Sequence, residues 1–160
     1  MRQAGPADWR TVRQVRLAAL ADSPEAFAST LERERGFGDD EWQRRMQTAA
    51  WFVAWQDAEP AGLVAAVTRP AAGGGTEWHI VSMWASPLAR GSGAADLLVR
   101  AVAGHVRAEG EHRITLWVAD DNARARGFYQ RFGFRATGAR QTYQRQDGTE
   151  FDEQELALDL

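Results

Sequence analysis

A glycine-containing loop before a predicted helix is the segment best suited to chemistry. Residues 83–96 read MWASPLARGSGAAD, so a predicted strand ends, two glycines follow, and small residues begin a helix. The first N–H groups of a helix lack backbone partners, and the helix dipole adds positive potential there. Glycine lets the backbone approach an anion closely, and Arg90 adds charge. The loop therefore indicates a pyrophosphate site, with an ordinary strand-to-helix turn as the alternative.

Other phosphate-binding loops fit these residues less well. A Walker loop needs Gly-Lys before Ser or Thr, and all 19 basic residues of this chain are arginine. The dinucleotide fingerprint needs a small residue where Asp96 stands, and it opens a βαβ unit. A second glycine-rich stretch, residues 70–75, is followed by no helix start, so it is predicted as a loop between strands.

A second segment, residues 122–134, reads NARARGFYQRFGF. Asn122 is a favourable helix cap, and Gly133 is a typical terminator of that helix. The phenol of Tyr129 could act as an acid, or its ring could simply belong to the core.

Together the two segments resemble the GNAT superfamily of acetyltransferases. The family signature Gln/Arg-x-x-Gly-x-Gly/Ala is matched by Arg90, Gly93 and Ala95. Residues 122–134 are similar to its Asn-x-x-Ala-x-x-Phe-Tyr-x-x-x-Gly-Phe segment. The resemblance extends from about residue 9 to the end of the chain. It implies an enzyme that transfers an acetyl group from acetyl-CoA to a primary amine, by direct attack in a ternary complex. A non-catalytic acetyl-CoA sensor on the same fold is the alternative.

The resemblance also implies which residues hold acetyl-CoA. Backbone groups of Met83, Trp84 and Ala85 would bond the pantetheine arm as a strand edge bonds an extended peptide. Backbone amides between Gly91 and Asp96 would surround the pyrophosphate. The complete predicted cofactor set is Met83, Trp84, Ala85, Arg90, Gly91, Ser92, Gly93, Ala94, Ala95, Asp96, Asn122, Arg124, Phe128 and Arg131.

Two catalytic residues follow from the resemblance and from acid–base chemistry. A lysine-type amine has a pKa near ~10.4, so it must lose a proton before it attacks a thioester. Tyr129 is predicted as the general acid for the departing thiolate. His79 stands where relatives can carry a glutamate base, and Glu77 on the same face could orient it. An exposed strand histidine is the alternative for His79.

The acceptor amine is the least defined part of the prediction. In this family the first helix, the following segment and the last hairpin shape the acceptor pocket. The resemblance therefore suggests Phe27, Ser29, Thr30, Trp42 and Glu77, with Tyr143 as a further candidate. The acidic residues Glu32, Glu34, Asp39 and Asp40 could favour a cationic amine, or they could form a solvated face. Trp117 stands where some ribosomal-protein acetyltransferases have a glutamate, which counts against that substrate class.

Composition bounds the remaining possibilities. The 160 residues suit a single domain, residues 1–160, and the absence of cysteine excludes disulfides and a cysteine nucleophile. The net charge of −3 argues against nucleic-acid binding. No apolar run approaches the ~20 residues of a membrane span, so we expect no membrane partner and a cytoplasmic protein. Asp120 and Asp121 lack further ligands at metal-site spacing, so no metal is expected. A homodimer is left open.

Hydrophobic periodicity predicts the elements that position these residues. Strands are expected at 2–5, 51–56, 62–68, 77–85, 114–118, 135–141 and 154–159. Helices are expected at 7–21, from a cap at Asp39, at 94–108 and at 122–131, with a short helical turn ending at residue 27. The fold class is α/β or α+β. The resemblance implies a mixed, mostly antiparallel sheet flanked by helices and split between its fourth and fifth strands.

Overall fold

The computed structural model describes residues 1–145 and 147–160, and its seven strands form one sheet. The strands are β1 (Arg2–Ala4), β2 (Ala50–Gln56), β3 (Glu59–Pro70), β4 (Thr76–Ala85), β5 (Arg113–Ala119), β6 (Arg135–Gln144) and β7 (Glu150–Asp159). Their order across the sheet is β1-β2-β3-β4-β5-β7-β6, and every neighbouring pair is antiparallel except β4 and β5. The predicted mixed, mostly antiparallel sheet is confirmed.

Five helices connect these strands in the described part of the chain. They are α1 (Trp9–Asp22), α2 (Leu31–Arg35), α3 (Asp39–Thr48), α4 (Ala94–Ala108) and α5 (Ala123–Phe132). The sequence did not predict α2, which is only five residues long and carries a weak periodic signal. The predicted cap of α3 was also wrong by one residue. Gly38 occupies the cap, and Asp39 begins an acidic first turn that complements the helix dipole.

Two apolar cores lie on opposite faces of the sheet. On one face, Leu98 and Val102 of α4 pack in the cluster that contains Val64 and Tyr129. On the other face, Val12 of α1 packs in a separate cluster with other apolar residues of the helices and strands, among them Trp42, Trp51 and Leu63. The helical spacing of these apolar residues gives α1 and α4 one buried stripe each. No helix of the described residues is long and apolar enough to cross a membrane.

A buried ion pair ties α1 to α2. Glu34 is fully buried, and its carboxylate accepts hydrogen bonds from Arg16 at 2.9 Å and from Arg45 at 2.9 Å. Burial by itself would raise the pKa of Glu34, but the two arginines hold it below its ordinary value. This corrects the idea that Glu34 attracts a cationic acceptor, because its charge is already paired inside the protein. Arg16 also lies 4.5 Å from the ring centre of Phe27, which fixes that ring.

The sheet opens between β4 and β5. These parallel strands pair at only two positions, Trp78 with Ile114 and His79 with Thr115. Beyond them each strand continues without the other, β4 to Ala85 and β5 to Ala119. The predicted split between the fourth and fifth strands is therefore present.

A bulge in β4 lies beside this split. Ser82 has a φ of 59°, and the register between β3 and β4 shifts between Leu63 and Ala65. Ile80 packs in one core and Val81 in the other, but after the bulge Met83 shares the core of Ile80. The bulge thus shifts by one residue the alternation of β4 side chains between the two faces of the sheet. Bulges of this kind are common next to functional sites.

Candidate active site

Two cavities meet at the split in the sheet. The first, here the loop cavity, has a volume of about 610 Å³ and extends from Met83 along the loop of Gly91 and Gly93. The second, here the acceptor cavity, has a volume of about 380 Å³ and lies between the diverging ends of β4 and β5. The residues common to both are Glu25, Ala26, Phe27, Met83, Asn122, Ala125 and Tyr129. A ligand in one cavity can therefore touch a ligand in the other.

The loop before α4 leads into a helix start that has no side-chain cap. Gly93 is the cap of α4 in a left-handed conformation, φ 90°, and it has no side chain to accept a hydrogen bond from the first turn. Gly91 is also left-handed, at φ 81°, which only glycine adopts without strain. The N–H groups in the first turn of α4 therefore donate no hydrogen bond to a side chain of the cap, and a helix start of this kind is suited to an anion. Gly91, Gly93, Ala95 and Asp96 line the loop cavity, as do Trp84, Ala85 and Arg90.

The side chain of Arg90 holds the loop to α1. Its Nε donates to the Ala85 carbonyl at 3.2 Å, and its guanidinium pairs with Asp22 at the end of α1. Asp22 also accepts from the indole of Trp84 at 2.9 Å, and this bond with that of Ser23 helps hold the pKa of Asp22 below its usual range. Arg90 therefore holds the end of β4 and the glycine loop against the end of α1. Asp22 carries no sequence signal for this role.

Tyr129 lies where the cavities join. It is 7% exposed, and burial raises the pKa of its phenol well above the ordinary value. Its ring packs edge-on against Phe128 and Phe134, at 5.1 Å and 5.3 Å between ring centres. The phenol is therefore neutral at physiological pH and fixed in place.

The start of α5 supports this position. Asn122 Oδ1 accepts a hydrogen bond from the Ala125 amide at 3.1 Å, so the predicted helix cap is confirmed. Asn122 also lines both cavities. Arg124, Phe128 and Arg131 line the loop cavity, which puts two guanidinium groups beside it. Ser92 and Ala94 lie outside the set that lines it, and the Ser92 hydroxyl donates to the Ala89 carbonyl at 2.7 Å.

The predicted base does not reach either cavity. His79 is 6% exposed, and its Nδ1 lies 2.9 Å from the Thr115 hydroxyl. The Thr115 hydroxyl also contacts the Trp78 carbonyl and accepts a hydrogen bond from Arg69, so the Nδ1 of His79 belongs to a polar network inside the protein. Burial and the charge of Arg69 lower the pKa of His79 to about 4, although Glu155 acts in the opposite direction. The geometry favours a structural histidine below the site.

Other predicted acceptor residues are also placed elsewhere. Trp42 has no exposed surface and packs in the core against Phe37, which corrects its assignment to the acceptor pocket. Glu77 pairs with Arg69 at 2.8 Å instead of orienting His79. Ser29 is half-buried before α2 and lies outside both cavities, whereas Phe27 lines both.

Sequence reasoning missed most of the acceptor cavity. Ser82, Asp121, Arg145, Phe151 and Glu153 line it, together with Trp117, which had been noted only as a departure from relatives. The alternation of β7 gives Phe151 and Glu153 a common face, and this was the available signal. Nothing in the sequence alone places β7 beside β5, so the sequence does not bring these two side chains to the cavity.

The predicted family is confirmed by comparison with known proteins. The acetyltransferase (GNAT) family model matches residues 14–134, so the chain belongs to the acetyltransferase (GNAT) family. The chain is also similar to the mycothiol acetyltransferase of Parafrankia sp. (strain EAN1pec), with 30% identity over 145 residues. This match covers 82% of the chain and 44% of the relative, so the chain spans less than half of that protein's length.

Solved structures share the fold at low sequence identity. Ribosomal-protein-alanine N-acetyltransferase from Brucella melitensis is 19% identical with a TM-score of 0.75, and the match covers 99% of this chain and 98% of that one. The yncA structure from Salmonella typhimurium, solved with acetyl-CoA, is 19% identical with a TM-score of 0.77, covering 99% and 92%. Arabidopsis thaliana NAA60 in complex with acetyl-CoA is 18% identical with a TM-score of 0.72, covering 99% and 97%.

The buried position of His79 predicts a pH dependence of stability. Folding lowers its pKa, so between about pH 6.5 and about pH 4 the unfolded chain binds more protons than the folded protein. The stability of the folded protein therefore falls as the pH decreases through this range. His79→Gln lacks this penalty. Urea unfolding across this range should show the variant gaining up to about 3 kcal/mol relative to the wild type as the pH falls. A constant stability difference would show that the folded-state pKa of His79 is not lowered, and a fall in turnover of the variant would show that His79 is needed for catalysis.

Proposed function

We propose that residues 1–160 form one acetyltransferase domain that transfers an acetyl group from acetyl-CoA to a primary amine. Both substrates bind together, and the amine attacks the thioester directly. The observation that carries this proposal is that Tyr129 lines both the loop cavity and the acceptor cavity. Direct transfer needs two ligands to meet beside one proton donor, and a cofactor sensor would need no second cavity at that point.

The loop cavity fits acetyl-CoA. The N–H groups at the start of α4, which has no side-chain cap, suit a pyrophosphate, and a backbone without Cβ atoms at Gly91 and Gly93 permits close approach. Arg124 and Arg131 offer guanidinium groups to further phosphate oxygens. Beyond its pairing with β5, the end of β4 offers backbone groups of Met83–Ala85 to an extended arm. Bound acetyl-CoA supplies the thioester and its acetyl group.

Proton handling is divided between the two sides of the split. The phenol of Tyr129 is protonated at neutral pH even at the ordinary tyrosine pKa, and burial raises that pKa further, which makes the phenol a weaker acid. We assign to it the protonation of the departing thiolate because of its position between the two cavities. The amine arrives as an ammonium and must give up a proton. Glu153 is the half-buried carboxylate of the acceptor cavity, whereas Glu25 and Asp121 are exposed. We assign to Glu153 the binding of the ammonium. The ammonium proton passes to this carboxylate, or through it to water.

Ligand-dependent stability tests the choice of cofactor. Acetyl-CoA and CoA at ~100 times their dissociation constants should each stabilise the folded protein by about 2.7 kcal/mol, by mass action. ATP and NAD should shift the melting temperature much less, because neither has a pantetheine arm for the β4 edge. Melting curves measured by calorimetry decide the point. An equal or larger shift with ATP contradicts the assignment.

Gly93 tests the loop, and Gly74 is its matched control. Both have a φ of 90°, and a Cβ at either would meet no other atom within 4 Å. Alanine should therefore cost each site a similar strain, roughly 1–2 kcal/mol. Only Gly93→Ala should also weaken acetyl-CoA binding, measured by titration calorimetry, since its Cβ and altered backbone meet the pyrophosphate. Equal affinities for the two variants would exclude the loop as the phosphate site.

Tyr129→Phe tests the acid. The ring and its packing remain, and only the hydroxyl is lost. Turnover should fall by about 10²-fold, the usual contribution of a general acid, with little change in acetyl-CoA affinity. Tyr143→Phe is the control, because Tyr143 is the second tyrosine of the chain and its hydroxyl contacts the Ala28 carbonyl at 3.4 Å outside both cavities. The measurement is steady-state kinetics with an amine that the wild-type enzyme acetylates. Wild-type turnover in Tyr129→Phe refutes the acid role.

A further inference from the structure

Arg145 is a cation of the acceptor cavity that the proposed reaction does not use. It follows the last residue of β6 and lines the cavity. Its Nη2 donates to the Glu25 carbonyl at 2.7 Å, and its guanidinium carbon lies 4.1 Å from the ring centre of Phe151. The contacts span the last hairpin and the segment after α1. The guanidinium is therefore held across the cavity by groups from two parts of the chain.

The charge of Arg145 is not matched by a carboxylate. Among the described residues, no acidic group lies within 4.0 Å of its nitrogens, whereas Arg69, Arg90 and Arg140 each form an ion pair. Asp147 feels its charge but accepts hydrogen bonds from Thr149. The Nε of Arg145 is buried without a hydrogen-bond partner in the described chain. A buried N–H without an acceptor is unfavourable, so this donor calls for an explanation.

The charges that line the cavity point to an acceptor with two charged groups. Glu25, Asp121 and Glu153 are negative, and Arg145 is the one arginine among the described lining residues. Three carboxylates are enough for an ammonium, and a guanidinium beside them would repel a purely cationic ligand. A guanidinium fixed in place is instead well suited to a carboxylate, which it binds through two parallel N–H donors.

We propose that the acceptor is an amine that also carries a carboxylate, and that Arg145 binds this carboxylate. The inference rests on the proposed acetyl transfer and names the substrate class of the same site. The ammonium lies toward Glu153 and Tyr129, and the carboxylate lies toward Arg145. The stacking on Phe151 and the bond to the Glu25 carbonyl hold the guanidinium ready, so little side-chain freedom is lost when the ligand binds.

Bisubstrate conjugates test this without requiring turnover. The CoA sulfur is joined through a –CH2–C(O)– bridge, by a thioether and an amide bond, to the amine of glycine, β-alanine or 4-aminobutyrate. A parallel series uses the matching carboxamides. Each pair differs only in the charge of one end, and the three lengths sample the distance to Arg145. Titration calorimetry gives the affinity ratio of acid to amide for the wild type, Arg145→Gln and Arg140→Gln. Arg140 is a matched control because it is an exposed arginine of β6 that pairs with Asp120.

For at least one length, the wild type should bind the acid roughly 10-fold or more tightly than the amide, the effect of a charge-assisted hydrogen bond. The preference should disappear in Arg145→Gln and persist in Arg140→Gln. Equal or weaker binding of the acid at every length overturns the inference, as does a preference that survives in Arg145→Gln. In those cases binding of acetyl-CoA leaves the proposed function standing. Failure of acetyl-CoA and of all conjugates to bind overturns both.

Discussion

The separation of two parallel strands is the constraint on which the site depends. β4 and β5 pair only at Trp78 with Ile114 and at His79 with Thr115, and they then diverge. Backbone groups at the end of β4 are thereby left for a ligand instead of a neighbouring strand. A fully paired sheet would have no loop cavity and no acceptor cavity. The gap is an interruption of the sheet that the rest of the fold must stabilise.

Polar contacts at the closed end of the split hold its two sides together. His79 and Thr115, the last pair, join a polar network with Arg69, whose guanidinium pairs with Glu77 of β4 and with Glu155 of β7. This network connects strands on the two sides of the split. Above it, the Ser82 bulge redirects the end of β4. Polar groups with several partners in a low-dielectric interior fix one arrangement, because any shift would leave donors unpaired.

The first helices complete the walls of the site through buried charge. Glu34 pairs with Arg16 and Arg45, and Arg16 lies against Phe27, which lines both cavities. Asp22 binds Arg90 and Trp84, which joins the end of α1 to the glycine loop. Residues of α1 therefore contact the walls of both the acceptor cavity and the loop cavity. Movement of α1 would therefore change both cavities together.

Local sequence determined the cofactor half of the site, whereas tertiary structure decided the acceptor half. The glycines of the loop, the Asn122 cap and the position of Tyr129 act through nearby backbone, so their spacing along the chain was sufficient to predict them. The family was also predicted from these segments, and the succession of strands along the chain was predicted from hydrophobic periodicity. Arg145 and Glu153 line one cavity with Trp117 because β7 lies between β5 and β6 in the sheet, which no local pattern specifies.

The wrong expectations have the same physical origin. His79, Trp42 and Glu34 are residue types that can bind ligands, and their positions looked suitable along the chain. Burial by packing from distant segments gave each a structural partner instead: Thr115 for His79, the apolar core for Trp42, and Arg16 for Glu34. Burial and pairing depend on contacts between residues far apart in sequence. The sequence by itself therefore predicted the family and most of the helices and strands, but not α2, whereas only the folded structure decided which side chains are buried in structural contacts.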